Sequence, residues 1–203
     1  MDLATELAGR WDALGVSVDG GDLLRRWAEP HRRYHDQGHL LEVLDALDRL
    51  SPDVPREVHL AAWYHDAVHE GRPDDEQRSA GLANSALATI RGVDTAEVVR
   101  LVLLTATHDP TPGDPSGELL CDADLAILAA SPKRYLAYAA DVRAEYPHVP
   151  DVDFARGRTD VLCALVARER IYRTPVAREL EPRARANVGA ELVRLSAAGS
   201  PAG

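Results

Sequence analysis

The chain has 203 residues, 45% of them hydrophobic and 28% charged, a balance that excludes a largely disordered protein and suits one domain with a substantial core. Its 33 acidic and 23 basic side chains give a formal net charge of −10, which argues against an extended nucleic-acid or membrane-binding surface while leaving room for a local phosphate pocket. Two cysteines, Cys121 and Cys163, are too few for a disulfide scaffold or a cysteine-based zinc site. No stretch reads as a signal peptide or a membrane span, so the cytoplasm is the expected compartment.

Ala, Leu, Glu and Arg dominate, alternating β-branched runs are absent, and the periodicity is helical throughout. The pattern predicts helices over about 2–14, 20–28, 37–50, 55–69, 74–91, 94–108, 118–130, 132–145, 151–171 and 176–197. Ser51-Pro52 and Val54-Pro55 separate the third helix from the fourth. Gly71-Arg72-Pro73 closes the fourth, and Asp74, Asp94 and Ser131 are candidate caps for the helices that follow them. The stretch from Asp109 to Gly117 reads either as an ordered loop beside a site or as a plain connector. The expected organisation is a single all-α domain of about 8–10 helices over 1–198, with a disordered tail at 199–203. Trp11, Trp27 and Trp63 read as core or interface anchors.

Several ionisable residues fall on the apolar, core-facing stripes. His39 aligns with Val43, Ala46, Leu47 and Leu50, and His65 with Val58, Ala61 and Ala62, with Asp66 one step round. His108 follows Leu101, Leu104 and Thr105, and Asp124 lines up with Leu120, Ile127 and Leu128. A buried carboxylate is costly unless it is paired or binds a metal, and few Lys or Arg residues share these faces. A single core histidine is ordinary, but four helices each turning an imidazole or carboxylate inward is better explained by a divalent cation. Mixed imidazole and carboxylate donors suit Mn, Fe, Co, Ni or Zn better than Ca or Mg. On a continuous helix, His69 would follow His65 at i+4 and Glu70 would follow Asp66 at i+4. His35 stands four residues before His39, but a capping or surface role fits it better there. His31 and His148 flank prolines and read as loop residues, and His59 faces away from His65.

The stretches Arg33-Tyr-His-Asp-Gln-Gly-His39-Leu, Ala62-Trp-Tyr-His-Asp66, Asp75-Glu-Gln-Arg-Ser-Ala80, Thr105-Ala-Thr-His108, Asp122-Ala-Asp124 and Gly157-Arg158 resemble the HD superfamily of metal-dependent phosphohydrolases. The closer likeness is to a bacterial subgroup described as predicted metal-dependent HD phosphohydrolases, and it runs over most of the chain. The resemblance implies His39, His65, Asp66 and Asp124 as ligands of one divalent transition metal, with a second metal possible. Asp122 is a secondary partner or a competing ligand. Some family members place an acid three residues after the Asp of the His-Asp pair. Here His69 holds that place and the acid comes next, so Glu70 is the candidate for orienting a water. Glu76 competes for that role, and the plain alternative for Glu70 is a surface acid. His108 would contact the phosphate or hold a water. His69 at the rim, with Arg33, Arg78 and Arg158, would bind the anion, although surface salt bridges are the plainer reading for any one arginine.

The resemblance thus implies hydrolysis of a small phosphate ester or anhydride, with a nucleotide among the candidates. Two other classes share the scaffold. One is a di-iron oxygenase using His69 and His108, and the other is a non-catalytic metal- or nucleotide-binding sensor. A homodimer is compatible with the composition.

Overall fold

Ten α-helices and two short 3-10 segments make up the regular structure in a computed structural model that describes residues 2–198. The expected tail at 199–203 lies outside the described residues. No strand occurs among the described residues, so the fold is all-α as the sequence predicts. None of the described helices is long and apolar enough to cross a membrane. The chain divides into two compact units, Met1–Asp124 and Leu125–Gly203.

The first unit contains α1 (Leu3–Ala13), α2 (Gly21–Trp27), α3 (Gln37–Leu50), α4 (Arg56–Tyr64), α5 (Asp75–Leu87), α6 (Thr95–Leu104) and α7 (Pro115–Asp124). Helix α4 is its centre and packs against α3, α5, α6 and α7. Val58, Leu60, Ala61, Ala62 and Trp63 have no exposed surface, so the whole circumference of this short helix is buried. The three tryptophans are core anchors. Trp11 meets Trp63 edge-on at 5.1 Å, and the indole N–H of Trp27 donates to Trp63 O at 3.0 Å.

Gly20 enters α2 with an ordinary φ of −73°, so the backbone does not require glycine there. Space does, because a Cβ at that position would lie 2.6 Å from Cγ and Cδ1 of Trp11. The indole cannot retreat, being 3% exposed and bonded through Nε1 to Val18 O at 2.9 Å. Gly20→Ala is therefore expected to destabilise the protein by about 1–3 kcal/mol, read as a lower urea midpoint at unchanged slope.

Several helix ends depart from the periodic pattern. Helix α4 stops at Tyr64 rather than near 69, because side chains from elsewhere satisfy the backbone of the following turn. Arg32 donates to Asp66 O and Ala67 O, Ser79 Oγ bonds Val68 N and O, and Asp75 accepts from Glu70 N and Arg72 N. Asp75 is thus engaged with the loop, and Asp74, the expected cap of α5, makes no capping bond. Helix α6 ends at Leu104 rather than 108, and His108 takes a left-handed φ of 49°. Helix α7 starts at Pro115, earlier than expected, where Asp114 accepts from Gly117 N and pairs with Arg100. The caps at Asp94 and Ser131 form as expected.

The second unit holds the 3-10 segment Leu125–Ala129, α8 (Pro132–Glu145), α9 (Asp151–Ala167), the 3-10 segment Ala177–Leu180 and α10 (Glu181–Ala198). Helix α10 lies against α8, α9 and both 3-10 segments. Asn187 on α10 donates to Leu128 O and Ala130 O, and Tyr172 Oη donates to Leu125 O, all at 2.9 Å. These bonds satisfy carbonyls that the tight 3-10 turns leave open.

Candidate metal centre

Four elements of the first unit converge on one buried cluster. His39 comes from the first turn of α3, where the Asp36 carboxylate caps the helix by accepting from Gly38 N and His39 N. His65 and Asp66 follow the end of α4, Asp124 closes α7, and His108 follows α6. His39 and His65 are 2% and 1% exposed. His39 Nε2 lies 3.2 Å from His65 Nε2 and 3.2 Å from Asp124 Oδ1. His65 Nε2 lies 3.6 Å from the same Asp124 oxygen. Asp66 Oδ2 stands 3.4 Å from His65 Nε2 and 3.9 Å from His39 Nε2.

Proton positions follow from the hydrogen bonds. His65 Nδ1 lies 2.7 Å from Ala62 O, and a carbonyl can only accept, so that nitrogen carries the proton. Nε2 then faces the other donors of the cluster, as the ligating nitrogen of an imidazole does. His39 Nδ1, by contrast, is buried with no hydrogen-bond partner. His108 Nε2 lies 2.7 Å from the second Asp124 oxygen, Oδ2. The left-handed backbone of His108 costs of order 1 kcal/mol, and histidine is among the residues that tolerate it best.

Charge binds the cluster together. Burial opposes ionisation of Asp124, but the His65 charge and hydrogen bonds from His108 and His39 hold its carboxyl well below the usual 3.8. Asp66 is also lowered, with burial outweighed by the charges of His65, His35 and His69. His39 is raised above 6.5, because the bond and charge of Asp124 overcome burial.

The donor set could hold a metal ion. Ligands about 2.1 Å from a common ion lie roughly 3.0–3.4 Å apart in octahedral or tetrahedral sites, close to the spacings among these nitrogens and oxygens. His39, His65 and Asp124 form one group whose ligand atoms all lie within 4.8 Å of one another, and His35, Asp66 and His69 form a second. Asp66 borders both. No protein-family model, curated protein or solved structure matches the chain. The geometry therefore stands as the direct support for a metal site.

The remaining candidates are placed as follows. His69 is not on a helix with His65, since α4 has ended. It belongs to the turn and packs its ring 4.1 Å from that of His35. His35, read from sequence as a cap or surface residue, is thus part of the constellation, and the capping is done by Asp36. Glu70 is held by Arg72 and Arg78 and is 42% exposed. Arg78 also reaches Asp75. Glu76 is half-buried in the first turn of α5, and Arg33 is exposed in the turn before α3. Asp122 is fully buried on α7. Arg158 lies in the second unit, where it pairs with Glu191 at 2.9 Å and bonds Tyr138 Oη at 2.8 Å. Glu191 also accepts from Tyr135 Oη. Its charge is thus already met by a buried carboxylate.

Arg32, beside the Arg33 picked out from sequence, is the residue that sequence reasoning missed. Its side chain has no exposed surface. One nitrogen, Nη1, donates at 2.8 Å to both His35 O and Asp66 O, and Nη2 reaches Ala67 O. Arg32 lies outside any helix, so no periodic stripe marks it as inward-facing.

Proposed function

We propose that the chain is a metal-dependent phosphohydrolase of the HD type, acting on a small phosphate ester or anhydride. The observation that supports this best is the convergence of His39, His65 and Asp124, with Asp66 at their edge, around a histidine whose Nε2 faces the other donors. These are the four positions that the HD pattern marks as ligands. Mn, Fe, Co, Ni and Zn all suit this donor set. Bound there, such an ion would act as a Lewis acid toward a phosphoryl oxygen and would make a water more acidic.

The chain's own groups do the rest. Asp124 spans two tasks, with Oδ1 facing the two ligand histidines and Oδ2 fixed by His108. His108, with 23% of its side chain exposed, is positioned to meet a substrate oxygen or to hold a water. Of the two acids proposed to orient that water, Glu70 is neutralised by two arginines, whereas Glu76 makes no ion pair among the described residues. Arg78 and Arg33 are the cations proposed for the substrate phosphate, and Arg78 would exchange Glu70 for it. The substrate is small and phosphorylated, in keeping with a net charge of −10 that disfavours polyanions.

The test is a panel of phosphoesters and nucleotides assayed with protein of measured metal content. Wild-type protein is expected to hold a divalent metal and release phosphate, and His65→Ala to lose both. Metal-free protein, or phosphate release unchanged in His65→Ala, would overturn the reading. The second histidine group favours one alternative, a di-iron oxygenase on the same scaffold. It requires two irons and substrate-dependent oxygen uptake in place of phosphate release.

A further inference from the structure

We propose that the helix pair α9–α10 is the face through which two copies of this chain associate, with α10 of each packed on α9 of the other. Arg158 on α9 meets Glu191 on α10 at 2.9 Å, and Arg185 near the start of α10 bonds Val166 O and Arg168 O at the end of α9. The two helices therefore run in opposite directions. This chain buries the pair on one side only. Ala184, Val188 and Glu191 form the buried face of α10, and Ala155, Leu162 and Leu165 are the buried residues of α9. At about 100° per residue, the opposite face of α10 carries Ala186, Ala190, Val193 and Ala197, all exposed, and no charged side chain. The three most exposed large hydrophobic side chains among the described residues belong to this pair: Val193 at 69%, Val152 at 60% and Val161 at 55%. A helix that is apolar on opposite faces is one covered on both, and exposed apolar surface rimmed by charge marks a protein–protein contact.

Charge selects the occupant. The exposed charged residues of α10 are Arg183 and Arg194, both basic, whereas those of α9 are Asp151, Asp153 and Asp160 with Arg156. Packing α10 on a second α10 would oppose arginine to arginine. Packing it on the partner's α9 sets arginine against aspartate, and a two-fold axis parallel to the helices makes that contact twice, giving a four-helix bundle. Asp151 is already paired with Arg143 and Asp153 with Arg156, but Asp160 and Arg194 make no ion pair among the described residues. Because Arg158 stands beside Glu191 in the antiparallel pair, Asp160 lies level with Gly189, and Arg194 is about 7.5 Å further along the axis. An arginine side chain spans that rise, so Arg194 reaches the partner's Asp160 at the rim. Helices of 17 and 18 residues are about 26 Å long and side by side about 20 Å wide, which offers roughly 500 Å² per chain, near the lower limit for a specific interface. The dimer is therefore weak and concentration-dependent.

Sedimentation equilibrium on the full-length protein over a series of concentrations tests this. Wild-type protein is expected to pass from monomer to dimer as concentration rises. Val193→Glu places a charge in the apolar face and is expected to raise the dimer Kd at least about tenfold. Arg194→Asp and Asp160→Arg alone are each expected to raise it about three- to tenfold, and the two together to return it to within about threefold of wild type. All three side chains are exposed, circular dichroism checks the fold of each variant, and Ala190→Arg serves if Val193→Glu is not folded. A monomer at every concentration, or a dimer whose Kd is unchanged in Val193→Glu, would overturn the proposed face. A double variant no tighter than either single one would overturn the packing of α10 on the partner's α9.

Discussion

Asp124→Asn is expected to abolish tight metal binding, because Asp124 faces His39, His65 and His108 together. Changes to groups that merely orient a ligand cost about 10–100-fold in metal affinity, so loss of this carboxylate should exceed about 100-fold. Equilibrium dialysis against Zn(II) or Mn(II) measures it, and retention of wild-type affinity would remove Asp124 from the ligand set. The metal-free protein offers a second readout. Asp124 titrates well below 3.8 in the folded state, so its contribution to stability is present above that value and fades as pH falls through the folded pKa. His39 is raised above 6.5, so its contribution is full below 6.5 and fades as pH rises through the folded pKa. Asp124→Asn should therefore destabilise metal-free protein most between about pH 4 and 6.5, and less in alkali. Urea titrations across that range test this, and an equal loss at every pH would contradict it.

The second large effect is expected at Arg32. Its buried guanidinium donates to three carbonyls, those of His35, Asp66 and Ala67, and its centre lies 5.4 Å from the Trp27 ring. Arg32→Ala leaves those oxygens without their donor, at about 1–3 kcal/mol for each one that water does not reach, and opens a cavity beside Trp27. A loss of at least about 3 kcal/mol in urea unfolding is expected. Arg32→Lys should recover only part of it, because an ammonium on a flexible stem lacks the planar fork that spans separate acceptors. In a folded Arg32→Lys protein, metal affinity should fall through displacement of Asp66, although no ligand has been changed. Wild-type stability in Arg32→Ala would show that the turn does not depend on this residue.

The contrast between Arg32 and His39 explains what the sequence discloses. His39, His65 and Asp124 could be found because each continues an apolar stripe of the helix it sits on or ends, so burial could be read from spacing. Periodicity also located all ten helices and the tryptophan anchors. It overextended the ends of α4, α5, α6, α7 and α9, since a repeat of 3.6 says nothing about where a side chain from another element takes over the backbone. The turn after Tyr64 is such a place, bonded by Arg32, Ser79 and Asp75. His35 and His69 come together only through that turn, so helical spacing paired each with the wrong neighbour. Arg158 sits beside Gly157, and its partner Glu191 lies on another helix, so no local pattern in the sequence joins them.

The end of α4 also bears on how a ligand is held. Were the helix to run one residue further, Ala62 O would accept from the main-chain N–H of Asp66 as well as from His65 Nδ1, and the two donors would share one oxygen. Ending at Tyr64, the helix leaves that carbonyl to the imidazole. An insertion or deletion near residue 64 would therefore change how firmly the His65 ring is oriented, even with every side chain of the cluster retained.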